Sequence, residues 1–324
     1  MHRATLVVNA SAGRRKDLRM LVPALTRVLE QNGIQASAAI TTIAGHAQSL
    51  ATDAVADGCD TVFACGGDGT VHEVLQGLVG TKTALGVIPL GTANAFARNL
   101  GLSLDPLKAL LQQLSFEPRP ISVGEARYTT KESNAIRYFI VMAGAGPDGA
   151  LVYQLLSGKR SRLGRSAYYA HSLRLFLTRK FPAFRVEYRS SDSSQWLEQR
   201  GVSVMCSRVA NLGGIFSRLT TESSATENEL VLSIVKPPAS ISLPAWFALG
   251  HVGLHAQNPW LEQVRVSGFR CTPLHPNHRI HAELDGEWIG YLPLSVLLVP
   301  QAVRLLMPVP RSVGNLKPPV IDAV

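Results

Sequence analysis

The distribution of apolar and polar residues divides the chain into two parts. Up to residue 115, short apolar runs alternate with segments whose apolar residues recur every three or four positions, which predicts alternating strands and helices. The predicted strands are 4–9, 34–40, 59–65 and 84–90, and the predicted helices are 17–33, 45–58, 70–80 and 105–114. Residues 91–101 are predicted as a turn that enters a helix. This alternation, with short loops, predicts a doubly wound parallel sheet covered by helices on both faces.

After Pro118 and Pro120 the pattern changes, because strand-like runs dominate. The predicted strands are 119–126, 137–143, 183–190, 201–208, 229–236, 264–270, 278–284 and 287–299, with a helical hairpin at 147–179 and a helix near 243–255. The pattern predicts an antiparallel, β-rich second domain. We therefore expect one domain over 1–118, a second over 119–301 and a loose tail over 309–324.

Positive charge is concentrated in one segment. The chain has 324 residues and a net charge of +9, and residues 158–189 alone hold nine Lys or Arg residues against Glu187. Apolar residues in this basic block recur with helical spacing, so it predicts an amphipathic basic helix that faces an anionic partner such as phosphate, a membrane surface or nucleic acid. A solvated face on a helix that packs against the core is the alternative.

Several features place the chain among intracellular proteins without a membrane span. No apolar run approaches the roughly 20 residues that cross a bilayer. The N-terminal residues predict a strand and no signal peptide. The four cysteines form no CxxC pair, which is typical of reduced thiols. We therefore expect a cytoplasmic protein.

The stretch GGDGT, residues 66–70, follows the third predicted strand and leads into a helix. Glycines let backbone N–H groups approach a ligand, and the helix start adds partial positive charge, so the turn predicts a phosphate cradle. Because a carboxylate and a phosphate repel each other, Asp68 indicates a Mg²⁺ ion held between them. The alternative is a tight turn in which Asp68 caps a helix. No GxxxxGK[ST] segment is present, which excludes a P-loop protein.

Polar, glycine-bearing turns also follow the other three predicted strands, and parallel strands end at one edge of a sheet. The candidate ligand-binding residues in these turns are Asn9, Thr41, Gly91, Thr92 and Asn94. Each turn alone is a weak signal. Together they predict a nucleotide site at this edge.

Seven motifs in a fixed order resemble the diacylglycerol kinase catalytic family, which includes bacterial lipid kinases and sphingosine kinases. They are NASAG (9–13), TTIAGHA (41–47), GGDGT (66–70), PLGTANAFAR (89–98), GAGPDG (144–149), LGRSAYY (163–169) and AELDGEW (282–288). GGDGT is shared with NAD kinases, whereas LDGE points to the lipid kinases. The resemblance implies an ATP-binding α/β domain, a β-sandwich domain, a lipid site between them and a final strand near 302–308 that returns to the first domain.

The resemblance also implies roles for individual residues. Asp68 would organise Mg²⁺, Glu287 would accept the proton of the lipid hydroxyl, Asp285 would be its neighbouring carboxylate, and Asp68 is the rival base. Lys159 or Arg160 could reach the transferring phosphate. The residues implied to contact ATP are Thr41, Gly66, Gly67, Asp68, Gly69, Thr70, Val71, His72 and Thr92. The implied partner of the basic block is a lipid at an anionic membrane surface, with peripheral attachment and no nucleic acid; the oligomeric state stays open.

Some positions depart from the family pattern. Ala95 and Ser122 stand where the family commonly has Asp, Val231 replaces the last acid of a second Mg²⁺ site, and Pro147 stands where Phe is usual. The sequence predicts an ATP- and Mg²⁺-dependent kinase of diacylglycerol or a related long-chain alcohol. An NAD kinase-like enzyme on the same fold and a relative that binds ligands without turnover are the alternatives.

Overall fold

The computed structural model describes residues 1–12, 18–130, 133–147, 149–150, 152–153, 181–191, 195–208, 229–251 and 258–309. The strands are β1 (Arg3–Asn9), β2 (Gln35–Thr41), β3 (Thr61–Gly66), β4 (Ala84–Pro89), β5 (Glu117–Thr129), β6 (Asn134–Phe139), β7 (Met142–Ala145), β8 (Phe184–Ser190), β9 (Trp196–Gly201), β10 (Ser203–Ser207), β11 (Leu230–Val235), β12 (Leu261–Pro273), β13 (His281–Leu284), β14 (Glu287–Tyr291) and β15 (Leu294–Met307). The helices are α1 (Leu18–Gln31), α2 (His46–Ala56), α3 (Asp68–Leu78), α4 (Ala95–Asn99), α5 (Pro106–Gln113) and α6 (Ala239–His251).

The N-terminal part is a parallel sheet in the order β2, β1, β3, β4. Every residue of β3 and β4 is buried, which is typical of central parallel strands. One apolar cluster joins the sheet to α2 and α3, and a second joins it to α1 and α5. These two clusters show that helices cover both faces of the sheet.

The C-terminal part is antiparallel and continues the same sheet through β15. The end of β15 pairs parallel with β4, opposite Ala84 and Leu85, while the rest of the strand pairs antiparallel with β5 and β12. From β12 the sheet continues through β11, β10, β7, β13 and β14, and β8 and β9 extend it from the other side of β12. A separate apolar cluster fills this part. The predicted fold class is confirmed; the domain limits stay predictions.

Two runs that the sequence predicts as single strands are each divided. The run 137–143 becomes β6 and β7, which pair with different strands. The amides of Ile140 and Val141 donate to the carboxylate of Asp285, so these two residues leave the strand ladder. The run 287–299 is interrupted before β15 at Pro293, which has no backbone N–H to donate.

Other differences concern limits and one missing element. Strand β9 is not predicted by the sequence pattern, because its residues, WLEQRG, are mostly polar or exposed. Helix α6 begins four residues earlier than predicted. Most of the predicted helical hairpin and residues 310–324 lie outside the described residues. No helix among the described residues is both long and apolar enough to span a bilayer.

Candidate active site

Two of the predicted polar turns meet at the carboxyl edge of the parallel sheet. Asn9, the last residue of β1, donates from Nδ2 to Oγ1 of Thr70 at 2.9 Å, and its Oδ1 accepts the amide of Ser11. Thr70 lies in the first turn of α3 and is buried. The structure therefore brings Asn9 and the GGDGT turn into direct contact.

The GGDGT turn also packs backbone to backbone against the turn after β4. A Cβ at Gly91 would lie 2.5 Å from the Cα of Gly67, and a Cβ at Gly66 would overlap the side chain of Thr70. Gly67 is the residue before α3, and the first amides of a helix have no partner within the helix. The glycines thus leave backbone N–H groups accessible where two turns converge, as a phosphate cradle requires.

Asp68 joins these two turns with its carboxylate. It accepts the amide of Ala95 at 3.1 Å and the amide of Phe96 at 3.0 Å, at the start of α4. Asn94 closes the same turn by bonding both the N–H and the C=O of Gly91. Asp68 therefore does cap a helix, although the helix is α4 and not its own α3. The contact uses the backbone of Ala95, so the departure from Asp at that position does not remove it.

The turn fits a Mg²⁺ ion that is shared with phosphate. A carboxylate has about four lone-pair sites, so Asp68 keeps acceptor capacity beyond its two amide contacts, and the residue is only partly buried. Within the described residues, no group of three or more His, Cys, Asp or Glu side chains could hold a metal by itself. Mg²⁺ usually takes one or two carboxylates together with phosphate oxygens and water, which matches a single available carboxylate.

The LDGE motif is a tight hairpin between β13 and β14. Leu284 pairs with Glu287, so Asp285 and Gly286 form a two-residue loop, and both have positive φ, at 48° and 82°. Asp-Gly is a preferred pair for such a turn. The predicted hairpin is present, and its loop lies against the N-terminal part of the molecule.

The carboxylate of Asp285 is buried and has four partners. It accepts the three consecutive amides of residues 140–142 at 2.9–3.0 Å, and Nδ1 of His72 lies 3.0 Å from Oδ2. His72, on α3, is fully buried. Asp285 thus connects the hairpin, the junction of β6 and β7, and α3. Its four partners fill the usual acceptor capacity of a carboxylate.

Glu287, two residues later, faces the GGDGT turn. Its side chain is 35% exposed, and its Oε2 lies 3.3 Å from Nη1 of Arg137. A Cβ at Gly69 would lie 3.3 Å from Oε1 of Glu287, so the glycine leaves room for this carboxylate. Glu287 and Gly69 are 218 positions apart in the sequence, yet the fold places the carboxylate of Glu287 beside the glycine turn.

The remaining predicted residues have different surroundings. Val71 is buried, and the ring of His72 contacts Asp285, so neither side chain faces the turn. Thr92 is exposed, and Thr41 is partly buried at the end of β2, opposite Asn9 in the strand register. Ser122 is buried within β5. Lys159, Arg160 and the basic block up to residue 180 lie outside the described residues.

Three residues that the sequence analysis missed hold the site together. Glu73 accepts the amides of Gly45 and Ala47, at the start of α2. Gln76 bonds the N–H and the C=O of Tyr138. Both belong to α3, so one helix holds two neighbouring segments, the start of α2 and β6. Arg137 is the third of these residues. Its presence as a charged residue in the otherwise apolar run IRYFIVMAGA was the feature of the sequence that could have indicated a functional role.

Tyr128, on β5, shares one face of the β5–β6 hairpin with Arg137. Burial raises its pKa, the charge of Arg137 lowers it and the charge of Glu287 raises it, with a net increase. Tyr128 packs against the core of the antiparallel part. Arg137 therefore lies beside the core of the antiparallel part.

Comparison with known proteins shows which proteins this chain resembles. Residues 3–126 match the sequence model described as "Diacylglycerol kinase catalytic domain". The chain is 29% identical to a diacylglycerol kinase of Bacillus subtilis, over 95% of this chain and 97% of that protein. It is 28% identical to a diacylglycerol kinase of Staphylococcus epidermidis, over 94% of this chain and 92% of that protein.

Solved structures show the same fold. A crystal structure of a diacylglycerol kinase from Bacillus anthracis superimposes with a TM-score of 0.68 at 20% identity, covering 94% of this chain and 97% of that one. Yeast NADH kinase in complex with NADH superimposes with a TM-score of 0.55 at 9% identity, covering 95% and 84% of the two chains. The resemblance seen in the motifs is confirmed by the match of residues 3–126 to the diacylglycerol kinase catalytic domain and by relatives of that name that align over 94–95% of the chain.

Proposed function

We propose that this protein is an ATP- and Mg²⁺-dependent lipid kinase. It transfers the γ-phosphate of ATP to the hydroxyl group of diacylglycerol or of a related long-chain alcohol. The family and the named relatives support a lipid kinase in general. The site geometry supports the finer assignment of nucleotide, metal and residue roles.

The observation that carries the proposal is the position of Glu287 against Gly69. Phosphoryl transfer needs the phosphate and the proton acceptor of the attacking hydroxyl within a few ångströms of each other. The glycine turn provides the cradle for the phosphates, and the hairpin provides the carboxylate. A nucleotide-binding turn without this partner would not support transfer.

The nucleotide is proposed to bind at the carboxyl edge of the parallel sheet. The residues that hold it are Asn9, Thr41, Gly66, Gly67, Asp68, Gly69, Thr70, Gly91, Thr92 and Asn94. Val71 and His72 support the turn from behind, because their side chains are buried. Bound Mg²⁺ would neutralise charge on the phosphates, with Asp68 as its carboxylate partner, directly or through water.

Among the three predicted catalytic carboxylates, Glu287 is the best placed to accept the proton. Asp285 has four hydrogen-bonding partners and is buried, whereas Glu287 is 35% exposed and has one ion-pair partner, Arg137. Asp68 is engaged with two amides. We therefore assign the base to Glu287, the positioning of the hairpin to Asp285 and the metal to Asp68.

The lipid is proposed to reach the cleft from an anionic membrane surface, with the basic block 158–189 providing peripheral attachment. In the described end of this block, Arg185 and Arg189 lie on β8. Arg185 is 49% exposed and pairs with Glu198, and Arg189 lies over the ring of Trp196. Peripheral attachment of this kind depends on ionic strength.

The test is transfer of radiolabelled phosphate from γ-labelled ATP to lipid in mixed micelles with Mg²⁺, with the product identified by mass. Glu287→Gln keeps the shape of the side chain and removes the base. We expect kcat to fall about 10²–10⁴-fold, the usual contribution of a general base, with the unfolding transition unchanged.

Glu125→Gln is the matched control, because Glu125 also pairs with an arginine, Arg127, which lies on the same strand, β5. This variant is expected to keep wild-type kcat. If label is transferred to added NAD and not to lipid, the protein is an NAD kinase-like enzyme and not a lipid kinase. If Glu287→Gln keeps the kcat of the wild type, Glu287 is not the catalytic base.

A further inference from the structure

We propose that Arg137 is a catalytic residue that binds the phosphoryl group during transfer and that His72 positions it. This inference rests on the proposed lipid kinase function. It assigns to a residue of β6 the role that the sequence analysis gave to Lys159 or Arg160. Four observations support it: the face of the strand, the unused donors, the fixed histidine and the charge change of Glu287.

The register of β6 places Arg137 on the inner face of the β5–β6 hairpin. It lies opposite Ala126, a core residue, and shares its face of β6 with Phe139, which is also buried. Successive side chains of a strand point to opposite faces, so Ile136 and its partner Arg127 face outward. Ile136 is 54% exposed, in agreement with this alternation. The side chain of Arg137 is 35% exposed, so solvent and ligands can reach it.

The guanidinium of Arg137 has donors left for a ligand. Its Nη1 lies 3.3 Å from Oε2 of Glu287 and 3.5 Å from Nε2 of His72. Across the described part of the chain, Nε and Nη2 have no hydrogen-bond partner. Because a guanidinium carries five N–H donors in a planar fork, these two nitrogens can bind two phosphate oxygens together.

His72 fixes the orientation of Arg137. Asp285 receives three amides on its carboxylate and can only accept, so Nδ1 of His72 donates to it. In this tautomer Nε2 has a lone pair, which faces Nη1 of Arg137. The imidazole is fully buried and held by α3. The start of the same helix forms the glycine turn, so Arg137 is oriented by the element that holds the phosphates.

The chemistry of transfer changes the partner of Arg137. The lipid oxygen attacks the γ-phosphorus, the bond to the bridging oxygen breaks, and its electron pair leaves with ADP. The hydroxyl proton moves to Glu287, which becomes neutral. The ion pair with Arg137 weakens at that step, while the new phosphomonoester carries negative charge. Arg137 is therefore free to pair with the phosphorylated product once Glu287 has accepted the proton.

The experiment compares Arg137→Met and Arg137→Lys with the control Arg127→Met, an equivalent change on the outer face of the same hairpin. We expect kcat of Arg137→Met to fall about 100-fold, as for the loss of one donor to a developing charge, with the KM for ATP changed by less than about threefold. Arg137→Lys keeps the charge without the fork and is expected to lose about 10-fold. Arg127→Met is expected to retain wild-type kcat.

Product binding is a second readout that needs no turnover. Calorimetric titration of nucleotide-free enzyme with dioleoyl phosphatidate in mixed micelles is expected to show roughly 10-fold weaker binding to Arg137→Met than to the wild type. Equal binding overturns the inference, and so does an equal loss of kcat in Arg137→Met and Arg127→Met. A wild-type enzyme that phosphorylates no lipid defeats the proposed function, while the binding comparison still decides the role of Arg137.

The role of His72 is tested with two variants that each keep one of its contacts. Asn places an amide near Nδ1, and Gln places an amide oxygen near Nε2. We expect His72→Asn to lower kcat about 10-fold and to weaken phosphatidate binding, and His72→Gln to keep both near wild type. A purely structural role predicts a lower unfolding temperature in both variants with no such split, which would contradict the positioning role.

Discussion

The same dipeptide, Asp-Gly, occurs at both halves of the site with different surroundings. Asp68–Gly69 begins α3, and the carboxylate accepts two amides while the residue is partly exposed. Asp285–Gly286 forms a hairpin loop, and the carboxylate accepts three amides and a histidine while it is buried. Both aspartates clamp the backbone of another segment. They differ in how much acceptor capacity is left for chemistry.

This difference separates positioning from catalysis. Because Asp285 is saturated, its effect on the reaction passes through the placement of Glu287, two residues later. Asp68 keeps acceptor capacity beyond its two amide contacts, so it combines a structural contact with its proposed role toward the metal. An acidic residue in a motif is thus better judged by its remaining acceptor capacity than by its presence.

The largest expected effect on stability follows replacement of Asp285. Asp285→Asn puts an NH₂ group where donors already converge, so at least one amide or the His72 ring loses its acceptor in a buried site. We expect the free energy of unfolding to fall by about 3–5 kcal/mol, as for the loss of one partner of a buried pair. Denaturant unfolding followed by circular dichroism measures this loss.

Glu287→Gln is the matched control for that experiment, because it changes an acid of the same hairpin at a 35% exposed position. It is expected to lower the free energy of unfolding by less than about 1 kcal/mol. If both variants lose the same stability, the distinction between a positioning and a catalytic carboxylate does not hold.

Asp68→Asn is expected to have a smaller effect on stability and a large effect on metal dependence. The side chain keeps one oxygen acceptor and loses one amide contact, which costs about 1–2 kcal/mol of unfolding free energy. The Mg²⁺ concentration for half-maximal transfer is expected to rise, because a neutral amide is a poorer partner for the ion. An unchanged Mg²⁺ requirement with a stability loss as large as that of Asp285→Asn would contradict the comparison.

The sequence was sufficient for the parallel half of the fold and for the turns of the site. Strands β3 and β4 are continuous apolar runs between glycines, and the local sequence of such a run is enough to predict a buried strand. The division of 137–143 depends on Asp285, which is 145 residues from Ile140. The roles of Arg137 and Glu73 likewise depend on contacts between distant segments. Periodicity reports which face of an element is buried and does not report which distant group accepts its amides.

A third aspartate, Asp60, also accepts backbone amides of another segment, but it lies far from the site. It shows the effect of such a contact where no catalytic role is proposed. Asp60 precedes β3 at the opposite edge of the sheet and accepts the amides of His2 at 2.6 Å and Arg3 at 3.1 Å. Partial burial raises its pKa, but the amide of His2, the hydroxyl of Thr61, the amide of Arg3 and the N-terminal charge outweigh burial and lower it. The carboxylate is the stabilising form of this clamp.

Asp60→Asn is expected to reduce the free energy of unfolding by roughly 1 kcal/mol or less at neutral pH, since the site is partly exposed. The folded-state pKa lies below the ordinary value of about 3.9. The contribution is therefore complete above that value and is lost as the pH falls through the folded-state pKa. The difference between wild type and variant, measured by urea unfolding, should stay constant from about pH 7 to 5 and shrink below about pH 4. A difference that is unchanged at about pH 3 would show that the clamp does not depend on the carboxylate charge.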